Sequence, residues 1–267
     1  MDQIFMERVG ADSPCEVELR SDIGGREDQQ DRAYAYADPS VTFAIVCDGM
    51  GGTEHGELAS RIAVETMREL LQAFVAQQPP EDVVRFLSDA MTELDLRVSR
   101  ELGNQEGGTT AVAVILRDGE LYWFSAGDSR LYIFRGGELV QATRDHNYFL
   151  RLNEQLQNGE ITPEQFQQES ERGEALISFI GIGGLPVYDL TNAPLRVMEG
   201  DILLLTTDGL YKAIPQELIL HILRGGDSLS EKADKLMAQI TVLKHSVVLD
   251  NTTYALIKIN ARGVSNE

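Results

Sequence analysis

Several aspartates stand where an apolar run begins or ends, and each could act as a hard anionic ligand. In TFAIVCDGMGG the run from Phe43 to Cys47 stops on Asp48. LYWFSAGDS carries a run to Asp128, and DILLLTTDG carries one to Asp208. Asp250, with Asn251, directly precedes TTYALIKI, and Asp31 in GREDQQDRAY precedes another strand-like stretch. One Asp-Gly is an everyday turn. If neighbouring strands gather these ends, like charges accumulate within a few Å and must protonate, separate or bind cations.

The ligand type narrows the cation. The two cysteines and four histidines show no CxxC and no HExxH spacing, so zinc is disfavoured. Aspartates with backbone carbonyls and water suit Mg²⁺ or Mn²⁺. Calcium is compatible with the same chemistry, but the sequence has no DxDxDG loop of the helix–loop–helix type. Gly49 and Gly209, directly after Asp48 and Asp208, let the backbone approach a neighbour closely or bend sharply.

The elements that must position these residues are legible from periodicity. Residues 41–47, 110–116, 121–125, 131–134, 201–206 and 254–259 are rich in β-branched and aromatic residues and read as strands. RDGE at 117–120 and RGGE at 135–138 read as hairpin connections. Residues 57–77 and 81–102 place apolar side chains at helical spacing, and 215–223 and 230–243 form a second helical pair. This order lacks the βα alternation of a parallel sheet and suits an α+β fold of antiparallel sheets flanked by helix pairs. Residues 147–187 are polar and punctuated by Gly and Pro, with one short helix expected after Pro163. They read as a surface insertion or as a flap beside a site.

No linker or repeat divides the chain, so residues 1–267 read as one domain. A formal net charge of −20 with no basic cluster argues against nucleic acid and anionic membranes as partners. MDQIFMERVG has no signal-peptide core, and no apolar run reaches transmembrane length. Cys47 sits in an apolar run as a core residue, which fits a reducing compartment. The expectation is a cytoplasmic monomer.

Six stretches, in order and nearly end to end, resemble the metal-dependent Ser/Thr protein phosphatases of type 2C (the PPM family) in their bacterial form. They are SDIGGREDQQD, VCDGMGGTEHGELAS, GGTTAVAVIL, SAGDSRLYIFRGGELVQATRDHN, GDILLLTTDGLYK and DNTTYALIKI. The resemblance implies a four-layer α/β/β/α sandwich: two antiparallel sheets packed face to face, with a helix pair on each outer face. It implies a binuclear Mg²⁺ or Mn²⁺ centre in which Asp31 and Asp48 are ligands. Asp48 would bridge the ions, the Gly49 carbonyl would assist, and Asp208 and Asp250 would complete the second ion's shell. Asp128 would share a further, weaker third ion with Asp208. Arg26 takes the place of the phosphate-binding arginine. The implied activity is hydrolysis of phosphoserine and phosphothreonine monoesters by a hydroxide bridging the two ions, with no covalent phosphoenzyme. The implied substrates are phosphorylated proteins, a Ser/Thr kinase or its targets.

This chain departs from that pattern at several positions. Gln30 stands where many members have Glu, which is expected to tune the centre rather than abolish it. Met50 stands where eukaryotic members have a proton-donating histidine, and His55 reads as an exposed histidine at a helix start. ISFIGIGG at 177–184 replaces a Thr-Arg-Ala-Leu-Gly stretch, with Ser178 and Phe179 in place of polar and basic residues. GGTT at 107–110 lacks the lysine and spacing of a phosphate loop and reads as a strand start near the centre. Arg130 reads as an internal ion-pair partner and His146 as a structural hydrogen-bonder. Two rival readings stand beside this one. One is an inactive pseudophosphatase serving as a signalling or binding module. The other is an aspartate-nucleophile phosphatase, which would want a second Asp where Met50 stands.

Overall fold

The computed structural model describes residues 3–8, 13–77 and 82–261. Alternation along the strands sorts side chains into separate apolar layers. In β4 (Val41–Cys47) every residue is buried. Phe43, Ile45 and Cys47 face one cluster, while Ala44 and Val46 face another. β3 (Arg32–Ala37) and β7 (Ala111–Arg117) repeat the division: Tyr34, Ala113 and Ile115 lie on the first side, Ala35, Val112 and Val114 on the second.

These strands belong to a seven-stranded sheet ordered β1-β3-β4-β7-β8-β11, in which β12 also pairs with β8. Its other members are β1 (Ile4–Arg8), β8 (Glu120–Ala126), β11 (Asp189–Leu190) and β12 (Leu195–Arg196). The second sheet is ordered β10-β9-β13-β14-β2. It comprises β2 (Cys15–Asp22), β9 (Arg130–Arg135), β10 (Glu138–Gln141), β13 (Ile202–Thr206) and β14 (Thr252–Ile259). A two-stranded ladder joins β5 (Gly49–Met50) to β6 (Gly108–Thr109).

Three apolar clusters tie these elements together. Met67, Leu71 and Phe74 of α1 (Gly52–Ala76) and Leu87, Leu94 and Val98 of α2 (Val83–Leu102) pack with Phe43 and Ile45. Val46 and Val114 of the first sheet share a cluster with Val17, Leu205 and Ile257 of the second. Ile202, Leu204, Tyr254 and Leu256 pack with Ile219 and Ile222 of α6 (Gln216–Arg224) and Leu236 and Ile240 of α7 (Leu229–Leu243). The fold is therefore mixed α+β. Among the described residues no helix is long and apolar enough to cross a membrane.

The expected strands and helices are present, with differences that have physical causes. β1 runs parallel to β3, so the first sheet is mixed at one edge rather than wholly antiparallel. The expected start of the second helix at Glu81 lies outside the described residues. The described helix begins at Val83, where the Asp82 side chain accepts from the Arg85 backbone at 2.8 Å. Both hairpins form, closing at Arg117 with Glu120 and at Arg135 with Glu138. Residues 147–187 hold the short helix expected after Pro163, α4 (Pro163–Glu169), and more helix besides: α3 (Tyr148–Gln157) and a 3₁₀ turn (Ser170–Arg172). Phe149 of α3 meets Phe166 of α4 with tilted rings, centroids 6.2 Å apart.

Candidate metal centre

Strand register brings the expected carboxylates to one end of the sheets. Arg32 pairs with Cys47, so the next residues out, Asp31 and Asp48, emerge side by side. Thr206 pairs with Arg130, and continuing that register by two residues sets Asp208 beside Asp128. Thr206 also pairs with Tyr254, and the Thr207 N–H donates to the Thr253 carbonyl at 3.0 Å, which carries Asp250 to the same end. The result is a cleft of about 620 Å³ lined by Arg26, Asp48, Gly49, Asp128, Asp208 and Asp250, with Lys212 and Glu174 on its wall. Asp31 lies beneath this lining and is fully buried.

Backbone contacts fix the main ligand candidate. The Asp48 N–H donates to Thr110 Oγ1 at 2.9 Å, and its carbonyl accepts from the Thr110 N–H at 2.8 Å and from Thr109 Oγ1 at 2.9 Å. The GGTT stretch is thus a strand start that seats Asp48. Thr110 Oγ1 also bonds Ser129 Oγ at 2.6 Å, next to Asp128. Both glycines that follow an aspartate serve close backbone approach. A Cβ on Gly49 would stand 2.1 Å from the Gly56 carbonyl oxygen, and one on Gly209 would stand 2.0 Å from that of Asn251.

The electrostatics record the crowding. Burial, with the charges of Asp208 and Asp250, pushes the Asp31 carboxyl up to about 8, against the opposing bond from Thr207 Oγ1 at 2.9 Å. Burial and the charges of Asp31, Asp208, Asp128 and Asp250 hold Asp48 well above the ordinary carboxylate range. Asp128 rises to about 6 through burial and Asp208, with Lys212 opposing. Asp31 Oδ1 and Asp208 Oδ1 are buried with no hydrogen-bond partner.

Two cations are drawn in. Arg26 donates to Asp250 Oδ2 at 2.7 Å from a half-exposed position on the rim. Lys212 Nζ lies 2.9 Å from Asp208 Oδ2, 3.8 Å from Asp128 Oδ2 and 3.2 Å from Glu174 Oε2. Among the described residues no group of three His, Cys, Asp or Glu side chains stands ready to hold an ion. The donor set nevertheless fits Mg²⁺ or Mn²⁺. It is all oxygen, strongly anionic, and leaves two buried carboxylate oxygens with nothing to bond.

Asn251 is a clamp: its Oδ1 accepts from the Gln30 N–H at 2.7 Å, and its Nδ2 donates to the Ile23 and Asp28 carbonyls. Arg130 forms a two-point ion pair with Asp145 at 2.6 and 2.9 Å and lies 3.5 Å from the Tyr211 ring centroid. Buried His146 accepts from the Gly127 N–H at Nδ1, as a structural hydrogen-bonder should. His55 falls in the first turn of α1 and is half-buried rather than exposed. Ser178 Oγ donates to the Val187 carbonyl, and Phe179 packs over Gly108, so neither lines the cleft. Lys212, Glu174 and Asp95 escaped the sequence reading. Asp95 on α2 accepts from the N–H groups of Gly181, Gly183 and Gly184 at 2.8, 3.2 and 2.6 Å.

A mixed α+β fold with strand-end aspartates meeting in one cleft defines a class, and comparison with known proteins agrees. Residues 20–243 match the family described as Protein phosphatase 2C, and the chain belongs to that family. Protein phosphatase PhpP of Streptococcus pneumoniae serotype 2 is 30% identical over 252 residues, covering 92% of this chain and 98% of that protein. The serine/threonine phosphatase structure from S. agalactiae is 29% identical, with a TM-score of 0.74 over 92% of this chain and 100% of that one. The catalytic domain of the serine threonine protein phosphatase PstP, solved with two manganese ions, is 26% identical. Its TM-score is 0.71 over 92% of this chain and 98% of that one.

Proposed function

We infer that this chain is a protein serine/threonine phosphatase that hydrolyses phosphoserine and phosphothreonine monoesters on proteins with the help of divalent cations. The observation that carries the reading is the convergence of Asp48, Asp128, Asp208 and Asp250 on one cleft above buried Asp31. Asp31 and Asp48, with the Gly49 carbonyl, would hold one side of an ion pair, and Asp208 and Asp250 the other, with Asp48 shared. Bound there, Mg²⁺ or Mn²⁺ supplies Lewis acidity and a water of lowered pKa.

The chain's own groups supply the rest. Arg26 on the rim exchanges Asp250 for the substrate, and its fork grips two phosphate oxygens, a geometry that lysine cannot reproduce. Asp48 is held by Thr109 and Thr110 through its backbone, so its carboxylate enters the cleft from a fixed base. Met50 carries no titratable proton, which leaves protonation of the departing serine or threonine oxygen to a water or to another group at the cleft. Asp48, Asp128, Asp208 and Asp250 at the cleft, with Asp31 beneath them, give the inactive-module alternative no support.

The same reading covers the architecture and setting. The three apolar clusters support a four-layer sandwich of helix pair, sheet, sheet and helix pair. We read the chain as one catalytic domain with residues 147–187 as its flap. Two buried, unpaired cysteines fit a reducing compartment, and we read the chain as a cytoplasmic monomer. A Ser/Thr kinase or its targets are the natural phosphoproteins to oppose. Phosphate release from a phosphothreonine peptide, assayed with chelator and with added Mn²⁺ or Mg²⁺, tests the function. Release only with the divalent ion supports it, and no release in either condition overturns it.

A further inference from the structure

We infer that Lys212 fills, with its own ammonium group, the place between Asp128 and Asp208 where a third divalent ion would sit, so that this chain takes two ions and no third. The inference rests on the two-ion reading above. Asp128 and Asp208 are neighbours by strand register, and both keep their Oδ2 atoms toward Lys212, at 3.8 and 2.9 Å. An ion between the two carboxylates would compete with Lys212 for those oxygens and would meet the ammonium's like charge at close range.

An exposed lysine one turn after an aspartate is ordinarily a weak surface pair. Here the two site carboxylates are nearly buried, with side chains 9% and 17% exposed, and a third carboxylate, Glu174, closes on Nζ at 3.2 Å from residues 147–187. The turn that carries Lys212, α5 (Asp208–Tyr211), is pinned from behind. Tyr211 donates its hydroxyl to the Asp128 carbonyl at 3.1 Å, and the Arg130 guanidinium lies on the Tyr211 ring. Asp208 therefore divides its work. Oδ2 serves Lys212, while Oδ1 is buried and without a hydrogen-bond partner. The ammonium also links the floor of the cleft to the flap through Glu174, which a divalent ion held only by Asp128 and Asp208 would not do.

Equilibrium dialysis of chelator-treated protein against increasing Mn²⁺ counts the sites without relying on turnover. The wild-type chain is expected to saturate at two ions and to take no third into the millimolar range. Lys212→Met, which keeps the stem and removes the charge, is expected to gain one further, weaker ion, with Lys212→Gln as the second variant should the first fail to fold. Three ions on the wild type, or two on a folded neutral variant, would overturn the role of Lys212 and leave the two-ion centre standing. Fewer than two ions on the wild type would remove that centre and this inference with it.

Discussion

Arg26 and Asp250 form an ion pair of 2.7 Å across the rim of the cleft, joining the group expected to hold phosphate to a group expected to hold metal. The pairing makes Arg26 a competitor for Asp250 as well as a substrate contact. Arg26→Ala should therefore raise KM for a phosphopeptide by about tenfold or more, the scale of one lost charge-assisted bond of ~1.5–3 kcal/mol. It should also lower the Mn²⁺ concentration needed for half-maximal activity, because Asp250 is released. Steady-state kinetics across a Mn²⁺ series reads both. An unchanged KM removes Arg26 from the phosphate site.

Asp31 trades stability for ligation. Its carboxylate is fully buried, and one oxygen has no hydrogen-bond partner. Without divalent ions, Asp31→Asn should stabilise the fold by removing a buried charge beside Asp208 and Asp250, the gain growing from about pH 4 to about pH 8. The same variant should lose Mn²⁺-dependent turnover. Thermal melts in chelator, beside activity in Mn²⁺, check the pair of effects. A variant that melts lower and stays active would assign Asp31 a purely structural role.

Asp95 anchors the far end of the flap. Its two oxygens take three backbone N–H groups from Gly181, Gly183 and Gly184, and Ile180 in that stretch pairs with Thr109, which seats Asp48. Asp95→Ala should cost about 3 kcal/mol, as lost bonds to a charged group do. It should also open residues 173–187 to protease before the rest of the chain. Urea unfolding and limited proteolysis report the two effects, and wild-type cleavage kinetics would speak against the anchor.

Asp189 supplies a pH-dependent tie between β11 and the chain after β10. Burial alone would raise its carboxyl, but donors from His146 and Arg144 outweigh burial and hold it at about 2. His146 accepts at Nδ1, and its Nε2 lies 3.6 Å from Asp189 Oδ1. With the folded value below the ordinary carboxylate range of ~3.9, this contribution is present above about pH 4 and lost as pH falls toward about 2. Arg144→Met should destabilise the chain near neutral pH and differ less from wild type near pH 2. Urea midpoints for both proteins across that range test it, and a constant gap would contradict the linkage.

The carboxylates were legible because each adjoins an apolar run, and antiparallel register then does the gathering: Asp31 with Asp48, Asp128 with Asp208. β2 was hidden by its exposed and half-buried polar positions, Glu16, Glu18 and Arg20, which dilute a strand that pairs along its whole length with β14. α3 was hidden by a polar face with Leu152 as its sole fully buried residue and by an Asn147 cap without a side-chain bond. Lys212, Glu174 and Asp95 carry no local signal. Glu174 meets Lys212, and Asp95 meets Gly181, only because separate elements fold onto the same cleft and flap.

Anomalous diffraction at the manganese edge from crystals grown with Mn²⁺ tests the metal centre most directly. Two peaks are expected within ligand distance of Asp48, flanked by Asp31 on one side and by Asp208 and Asp250 on the other, with Arg26 swung away from Asp250. A cleft without peaks at saturating Mn²⁺, or peaks remote from Asp48, would contradict it.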